Sequence, residues 1–147
     1  MTERARIRVK AMAFLPNAAR THHAVLRGAD PSDGETFHRL LGGGVEPGER
    51  SVEAVVREIS EELRATLLEP RLLGVLESLF VYDGEPGHEI VFVYAGHLAE
   101  GDVVPPEGGL YDDVGIPMWV EWRPCDERDP DALPLYPDGV GALLPLG

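Results

Sequence analysis

The residues of this sequence that could do chemistry are three acids in the segment REISEELR, residues 57–64. Glu58, Glu61 and Glu62 lie close to the C-terminal end of a predicted helix. Backbone carbonyls already make that end partly negative, and like charges three or four residues apart repel by roughly 0.2–0.5 kcal/mol. Because the placement is unfavourable, it points to a site that needs these carboxylates together. A solvated acidic face, helped by pairs such as Glu53 with Arg57, is the ordinary alternative.

A hard divalent cation would gain from three neighbouring carboxylates. Mg²⁺ prefers oxygen ligands and is commonly bound by a few carboxylates together with substrate phosphates. Such ions polarise a phosphorus–oxygen bond and lower the pKa of an attacking water. The segment GGGVEPGER precedes the helix, and Gly42, Gly43 and Gly44 would let the backbone approach an ion or a phosphate closely. Loop and helix together predict a metal site for phosphate chemistry.

An amphipathic helix must position these acids. Ser51, at the end of the glycine-rich loop, is a favourable N-cap residue. Apolar residues follow it at helical spacing: Val52, Val55, Val56, Ile59 and Leu63. At about 100° per residue, Glu58, Glu61 and Glu62 fall within an arc of roughly 100° that avoids this stripe. We therefore expect the three acids to share one face of the helix.

Strands are predicted on both sides of the helix. RIRVKAMAFLP alternates as a half-exposed strand would, with Ile7, Val9 and Ala11 on one face and cations at positions 6, 8 and 10 on the other. Further strands are predicted in HHAVLRG, in TFHRLL and in a hairpin of RLLGVLESLFVY and HEIVFVYAGHL joined by DGEPG. EGDVVPPEGGLYDDVG is predicted as a polar loop, PMWVEW as the last strand and 139–144 as a short helix. The pattern predicts the α/β (α+β) class, with a sandwich around a mixed sheet and residues 1–147 in one domain.

Composition limits the partners. The net charge of −13 disfavours DNA, RNA and anionic lipid, whose binding needs clustered Lys and Arg. The longest apolar runs are far shorter than the ~20 residues that cross a bilayer, and the N-terminus lacks the pattern of a signal peptide. The single Cys125 permits no internal disulfide. We expect a cytoplasmic protein whose substrate is a small molecule.

The glycine loop and the acidic helix together resemble the signature of the Nudix hydrolases, the MutT-like family. That signature is G-x5-E-x7-R-E-U-x-E-E-x-G-U, where U is aliphatic, and it aligns with Gly43 to Ala65. Seven of its nine specified positions match: Gly43, Glu49, Arg57, Glu58, Ile59, Glu61 and Glu62. Arg64 replaces the second glycine and Ala65 the final aliphatic residue. Because that glycine normally leaves the helix in a left-handed conformation, we expect this helix to end differently, for instance by running into ATLL.

The resemblance implies a Nudix-type α/β/α sandwich and a role for each matching residue. Glu58, Glu61 and Glu62 would bind Mg²⁺ or Mn²⁺, and the Gly43 region would add a backbone carbonyl. Glu49 would pair with Arg57 and hold the loop against the helix. Glu58 is our choice for the metal-assisted base. Arg27 is similar to arginines that meet substrate phosphates in relatives, although an ordinary surface arginine is an equal interpretation.

Acids from a later loop could also activate water in this family. The candidates are Glu107, Asp112 and Asp113, each of which is otherwise a solvated loop residue. His88 and Trp119 could contact a substrate, but a capped strand end and a core aromatic residue are the simpler interpretations.

The function expected from the resemblance is metal-dependent hydrolysis of the diphosphate linkage in a nucleoside diphosphate joined to another group. A ligand-sensing module of the same fold is the alternative, favoured by Arg64 and disfavoured by the intact glutamates. Diphosphate isomerisation would need a reactive cysteine near the site, and Cys125 follows the last predicted strand. The loops outside the signature contain no motif that identifies a base or a sugar, and nothing in the sequence indicates an oligomeric state.

Overall fold

The computed structural model describes residues 6–113 and 115–145, with the backbone alone at Asp113. These residues form one α-helix, nine strands and one 3-10 turn. In chain order the elements are β1 (Ile7–Phe14), β2 (His22–Ala29), β3 (Thr36–Arg39), β4 (Leu41–Gly44), α1 (Ser51–Leu63), β5 (Leu67–Tyr82), β6 (Glu85–Leu98), β7 (Gly109–Asp113), β8 (Ile116–Pro124), β9 (Leu135–Tyr136) and the turn Val140–Ala142.

The strands form two sheets. The first has the order β4-β1-β6-β5 and is mixed, because β1 runs parallel to β6 and antiparallel to β4. The second has the order β7-β8-β2-β3-β9, with β3 and β9 parallel. The predicted hairpin of β5 and β6 is confirmed, and Asp83 and Gly84, both with positive φ, form its two-residue turn.

The core lies on both faces of the first sheet because successive side chains of a strand point in opposite directions. Ala11 and Ala13 of β1 pack with α1 residues such as Ile59. Met12, between them, packs on the other face with Val91 and the 3-10 turn residue Val140. The expected mixed α+β fold is confirmed, with α1 covering one face of the sheet and the short 3-10 turn packed on the other.

The predicted alternation of β1 is wrong in its first half. Ile7 and Val9 were expected on the buried face, but Ile7 is 60% exposed and Val9 is also exposed, and burial begins at Ala11. The reason is the reach of the helix, since the core on that face includes Ala11 and Ala13 but neither residue before them. Arg8 and Lys10 of the same strand line a cleft between the two sheets.

Four assignments differ from the prediction because strand pairing between distant segments prevails over local composition. The predicted strand TFHRLL is divided between the two sheets, and Gly42, Gly43 and Gly44 belong to β4 rather than to a loop. Part of the predicted polar loop is β7, which pairs with β8. PMWVEW is not the last strand, because β9 follows it.

Both ends of α1 differ from the prediction. The N-cap is Arg50, whose backbone N–H donates to Glu53 Oε1 at 3.0 Å, whereas the Ser51 hydroxyl bonds the Tyr94 hydroxyl at 2.7 Å. At the other end the helix does not continue. Arg64 takes the left-handed conformation (φ 54°, ψ 39°), and its N–H donates to the Ser60 carbonyl. An arginine therefore ends the helix in the conformation for which glycine is favoured. Within residues 6–113 and 115–145, no helix is both long and apolar enough to span a bilayer.

Candidate active site

The site begins where the glycine strand β4 meets the acidic helix α1. A Cβ atom placed on Gly43 would lie 2.5 Å from both carboxylate oxygens of Glu58, so only glycine allows this approach. Gly42 has φ 146°, and a Cβ there would overlap the Ala11 carbonyl of β1. The two glycines have different purposes: Gly42 allows strand pairing, and Gly43 makes room for a carboxylate.

Arg57 ties the connecting loop to the helix. Its Nε and Nη2 donate to the two carboxylate oxygens of Glu49 at 2.8 and 3.0 Å, in the parallel geometry that makes such pairs strong. Nη2 also donates to the Gly44 carbonyl at 2.9 Å. The hydrogen bonds from Arg57 lower the pKa of Glu49, and those to Glu49 raise the pKa of Arg57. The pairing of Glu49 with Arg57 is thus present.

The same guanidinium extends to the acids of the helix. Arg57 Nη1 lies 3.0 Å from Glu58 Oε1 and 3.3 Å from both Glu61 oxygens. The three acids, which the helical projection places on one face of α1, differ in exposure. The Glu61 side chain is 43% exposed, the Glu58 side chain is largely covered and Glu62 is buried at 1% exposure. Side-chain exposure therefore decreases from Glu61 to Glu58 to Glu62. A helical projection does not show this decrease, because it depends on β4 and the core, which cover one side of the acidic face.

The residues here fit a hard divalent cation by donor type. Glu58, Glu61 and Glu62 offer oxygen atoms within two turns, and Gly43 leaves the Glu58 carboxylate a cradle that a Cβ would fill. In the part of the chain that the structure describes, no three His, Cys, Asp or Glu side chains converge as metal ligands. Arg57 instead lies between Glu58 and Glu61. Side-chain rotation at the exposed Glu61 would be needed to bring these oxygens together around an ion.

Arg27 lies apart from this cluster. It is on β2, 47% exposed at the side chain, with Nη1 3.7 Å from Glu121 Oε1 of β8. Glu121 also accepts a 2.6 Å hydrogen bond from His38 Nε2. Because Arg123 donates to His38 Nδ1, the ring proton must be on Nε2. Burial lowers the pKa of His38, although Glu121 acts in the opposite direction. The structure thus places Arg27 beside a neutral histidine network and does not join it to the helix carboxylates.

The other candidates from the sequence lie on other parts of the chain, of which β7, the strand of Asp112 and Asp113, packs against α1. Glu107 and Asp112 are exposed, and the side chain of Asp113 lies outside the described part of the chain. His88 lies within β6 and contacts Glu77 at 2.9 Å. Trp119 is not the expected core residue: it is exposed at 39% and donates to Glu121.

A cleft of about 700 Å³ lies between the two sheets, on the face of the first sheet opposite α1. Arg8, Lys10 and Arg39 contribute its cationic side chains. This cleft was not predicted from the sequence, although the alternation of β1 placed Arg8 and Lys10 on one face of the strand. The sequence did contain a signal for it. One face of β1 is cationic in a chain of net charge −13, and β1 pairs directly with the glycine strand β4.

Comparison with known proteins decides the family. The family model described as a NUDIX domain matches residues 7–138. The chain belongs to the Nudix family. The chain is therefore a hydrolase of the type that acts on phosphorus-containing anhydrides. No curated protein sequence matches the chain.

Solved structures of hydrolases and MutT proteins share the fold. A MutT NUDIX hydrolase from Burkholderia pseudomallei is 26% identical, with a TM-score of 0.60 over 87% of this chain and 90% of that one. A MutT protein from Methanosarcina mazei Go1 is 21% identical, with a TM-score of 0.53 over 85% and 82% of the two chains. An ADP compounds hydrolase is 18% identical, with a TM-score of 0.56 over 82% and 59%.

Proposed function

We propose that this Nudix protein is a metal-dependent pyrophosphohydrolase that cleaves the diphosphate linkage of a nucleoside diphosphate joined to another group. The observation that carries the proposal is the assembly at β4 and α1. Glu58 is packed on Gly43, and Arg57 is held by Glu49 and by the Gly44 carbonyl. These are the residues of the family signature, brought into direct contact. Residues 1–147 are proposed to form one cytoplasmic domain without non-specific affinity for nucleic acid.

The roles proposed for the residues follow from this arrangement. Glu58, Glu61 and Glu62, with a carbonyl from the Gly43 region, would hold Mg²⁺ or Mn²⁺, which neutralises phosphate charge and acidifies water when bound. The Glu49–Arg57 pair holds the loop in position. Glu58 would accept the proton of a water molecule whose oxygen attacks phosphorus, while the anhydride oxygen leaves with the second phosphate.

The inter-sheet cleft supports a nucleotide derivative as the substrate. Phe37 makes edge-to-face contacts with Tyr82 and Tyr136, at ring-centroid distances of 6.4 and 5.6 Å, and all three line the cleft. Such a wall suits a flat ring. The cleft and the carboxylates lie on opposite faces of β4, an edge strand whose last three residues are glycines. A diphosphate could pass this edge without meeting a side chain, so one substrate could occupy both.

The sensor alternative loses the feature that favoured it. Arg64 was expected to change the end of the helix, but it takes the conformation that a signature glycine would take. The substitution therefore gives no reason to expect a change in the carboxylates before it. An isomerase would need an activated thiol, whereas burial raises the pKa of Cys125 and thus disfavours its thiolate.

The test is hydrolysis of a panel containing nucleotide sugars, ADP-ribose, dinucleoside polyphosphates, oxidised nucleoside triphosphates and capped RNA ends, with and without Mg²⁺ or Mn²⁺. We expect metal-dependent release of phosphate monoesters. Glu62→Gln keeps the volume and removes one ligand charge, so it should lower activity by about 10- to 100-fold or more with the fold retained. Glu85→Gln, at an exposed position of β6, is the matched control. Full activity in Glu62→Gln, or hydrolysis without a divalent metal, would contradict the proposal.

A further inference from the structure

The cations of the inter-sheet cleft lie on its strands, whereas most of its acids lie in the connections between strands. Arg8, Lys10 and Arg39 extend from the strands β1 and β3 that form the walls. Five acids also line the cleft: Glu89 is on β6, and the other four lie in connections outside the strands, namely Asp30, Asp33, Glu35 and Asp138. Asp30, in the β2–β3 connection, is already engaged. Its Oδ1 accepts from Ser32 and from the backbone N–H of Asp83, so it joins that connection to the tip of the β5–β6 hairpin. The strand walls therefore present three cations and one acid to a ligand, whereas the remaining acids of the cleft lie in the connections.

Arg39 is the cation whose bonding is least satisfied. It is half-buried, its Nε has no contact with solvent, and within residues 6–113 and 115–145 this atom has no hydrogen-bond partner. Nor does Arg39 form an ion pair with any carboxylate of the described chain. Leaving a buried charged donor unsatisfied is costly, and an anion with two oxygens is the partner that a guanidinium fork matches best. The position thus points to a ligand.

Lys10 lines the same cleft from β1, the strand that pairs with the glycine strand β4. Its Nζ is 3.9 Å from Glu89 Oε2, a long contact that an incoming anion could replace. Lys10 pairs with Gly44 in the β1–β4 ladder, and a Cβ on Gly44 would meet nothing within 4 Å. The space between the Lys10 side of the sheet and the edge of β4 is open. An anion bound here would be separate from the diphosphate held at Glu58, on the other face of that strand.

We propose that the substrate carries a second anionic group, a phosphate monoester or a carboxylate, outside the diphosphate that is cleaved. Arg39 is the specificity-determining residue for this group, and Lys10 assists from the opposite wall. The proposal rests on the function proposed above, and it adds the class of substrate: a nucleoside diphosphate derivative with an additional negative charge on the nucleoside or on the attached group.

Two matched substrate pairs test this inference and separate the sources of the charge. 2′-Phosphorylated ADP-ribose against ADP-ribose tests a phosphate, and UDP-glucuronate against UDP-glucose tests a carboxylate. For at least one pair we expect wild-type kcat/KM to favour the charged member by about 10-fold or more, mainly through KM, as charge-assisted hydrogen bonds do. Arg39→Gln should reduce that preference to about 2-fold, and Lys10→Gln should reduce it partly. Arg128→Gln, at a highly exposed arginine paired with Asp126, should keep it.

Equilibrium titration of the same four compounds without metal separates the two proposals. If nothing is hydrolysed but the charged member binds more tightly in an Arg39-dependent manner, the function fails and the second anion site stands. If hydrolysis is metal-dependent but neither pair shows a preference, the anion site is refuted and the function stands. A preference kept in both Arg39→Gln and Lys10→Gln refutes it too. Because Lys10 is on a different strand, its variant decides the matter if Arg39→Gln does not fold.

Discussion

The cations near the two faces of the glycine strand β4 differ in their ion pairing. On the helix face, Arg57 makes close contacts with Glu49, Glu58 and Glu61, and its position is fixed by the Gly44 carbonyl. On the cleft face, Arg39 forms no ion pair within the described residues, and Lys10 has a single contact at 3.9 Å. One face uses a cation to organise carboxylates. The other keeps its cations available.

This difference indicates that the helix face of β4 is built for rigidity and the cleft face for ligand binding. A bidentate arginine–carboxylate pair with an additional carbonyl acceptor fixes several side chains at once, which suits the positioning of a reacting group. A cation without a close carboxylate partner contributes little to stability, and a buried donor that lacks an acceptor lowers the free energy of unfolding. Such cations suit a binding surface on which the ligand supplies the missing hydrogen-bond acceptors. The helix face is therefore expected to respond to mutation in both stability and turnover, and the cleft face in substrate preference.

Gly43→Ala is the strongest test of this contrast. The new methyl group would overlap the Glu58 carboxylate, so that carboxylate or the strand must move. We expect activity to fall by about 100-fold, as small displacements at a reacting centre do. The free energy of unfolding should fall by no more than about 1 kcal/mol, because the clash is with the flexible end of a side chain. Steady-state kinetics and urea denaturation measure the two effects.

Gly44→Ala is the matched control, one residue away on the cleft face. Its methyl group would enter open space and its backbone φ is not in the left-handed region. Stability should be unchanged or higher by about 0.5 kcal/mol, because alanine restricts the unfolded chain. Equal losses in the two alanine variants would mean that the faces of β4 are not distinct.

Glu49→Gln should make the helix face less sensitive to acid. The Arg57 hydrogen bonds lower the pKa of Glu49 below its ordinary value of 4.5, so ionised Glu49 stabilises the folded state. That contribution is complete above the ordinary pKa and is lost as the pH falls through the lower, folded-state pKa. The difference in urea midpoint between wild type and Glu49→Gln should be clear near about pH 7 and should shrink below about pH 4. A difference that stays constant over this range would show that the ionised carboxylate is not the cause.

The parts of the fold that were predictable from sequence are those fixed by local interactions. The helix was identified by its apolar spacing, and the hairpin by DGEPG, whose Asp83 and Gly84 both take the positive φ that such a turn needs. What was missed depends on distant partners. Gly42–Gly44 become a strand because β1 lies beside them, and β7 forms in a polar segment because β8 offers a full ladder.

The candidate site follows the same division. The Glu49–Arg57 pair was expected from the signature and is present, since Glu49 lies in the short loop before α1 and Arg57 lies in the second turn of that helix. The burial of Glu62 and the decreasing exposure of the three acids were not foreseen, because they depend on what covers the helix. Arg39 was overlooked and Arg27 preferred, because sequence alone does not show which face of β2 or β3 lines the cleft.

The smallest expected effect is at Arg64, where the helix face ends. A non-glycine residue in the left-handed conformation costs roughly 1 kcal/mol, so Arg64→Gly should raise the free energy of unfolding by about 0.5–1 kcal/mol and leave turnover unchanged. Arg64→Ala removes the charge but keeps the backbone cost, and it should therefore show no such gain. If alanine stabilised the protein as much as glycine, the guanidinium rather than the backbone would be the source of strain. If Arg64→Gly changed turnover, the end of the helix would contribute to the position of the carboxylates, and the helix face would extend further along the chain than Glu62.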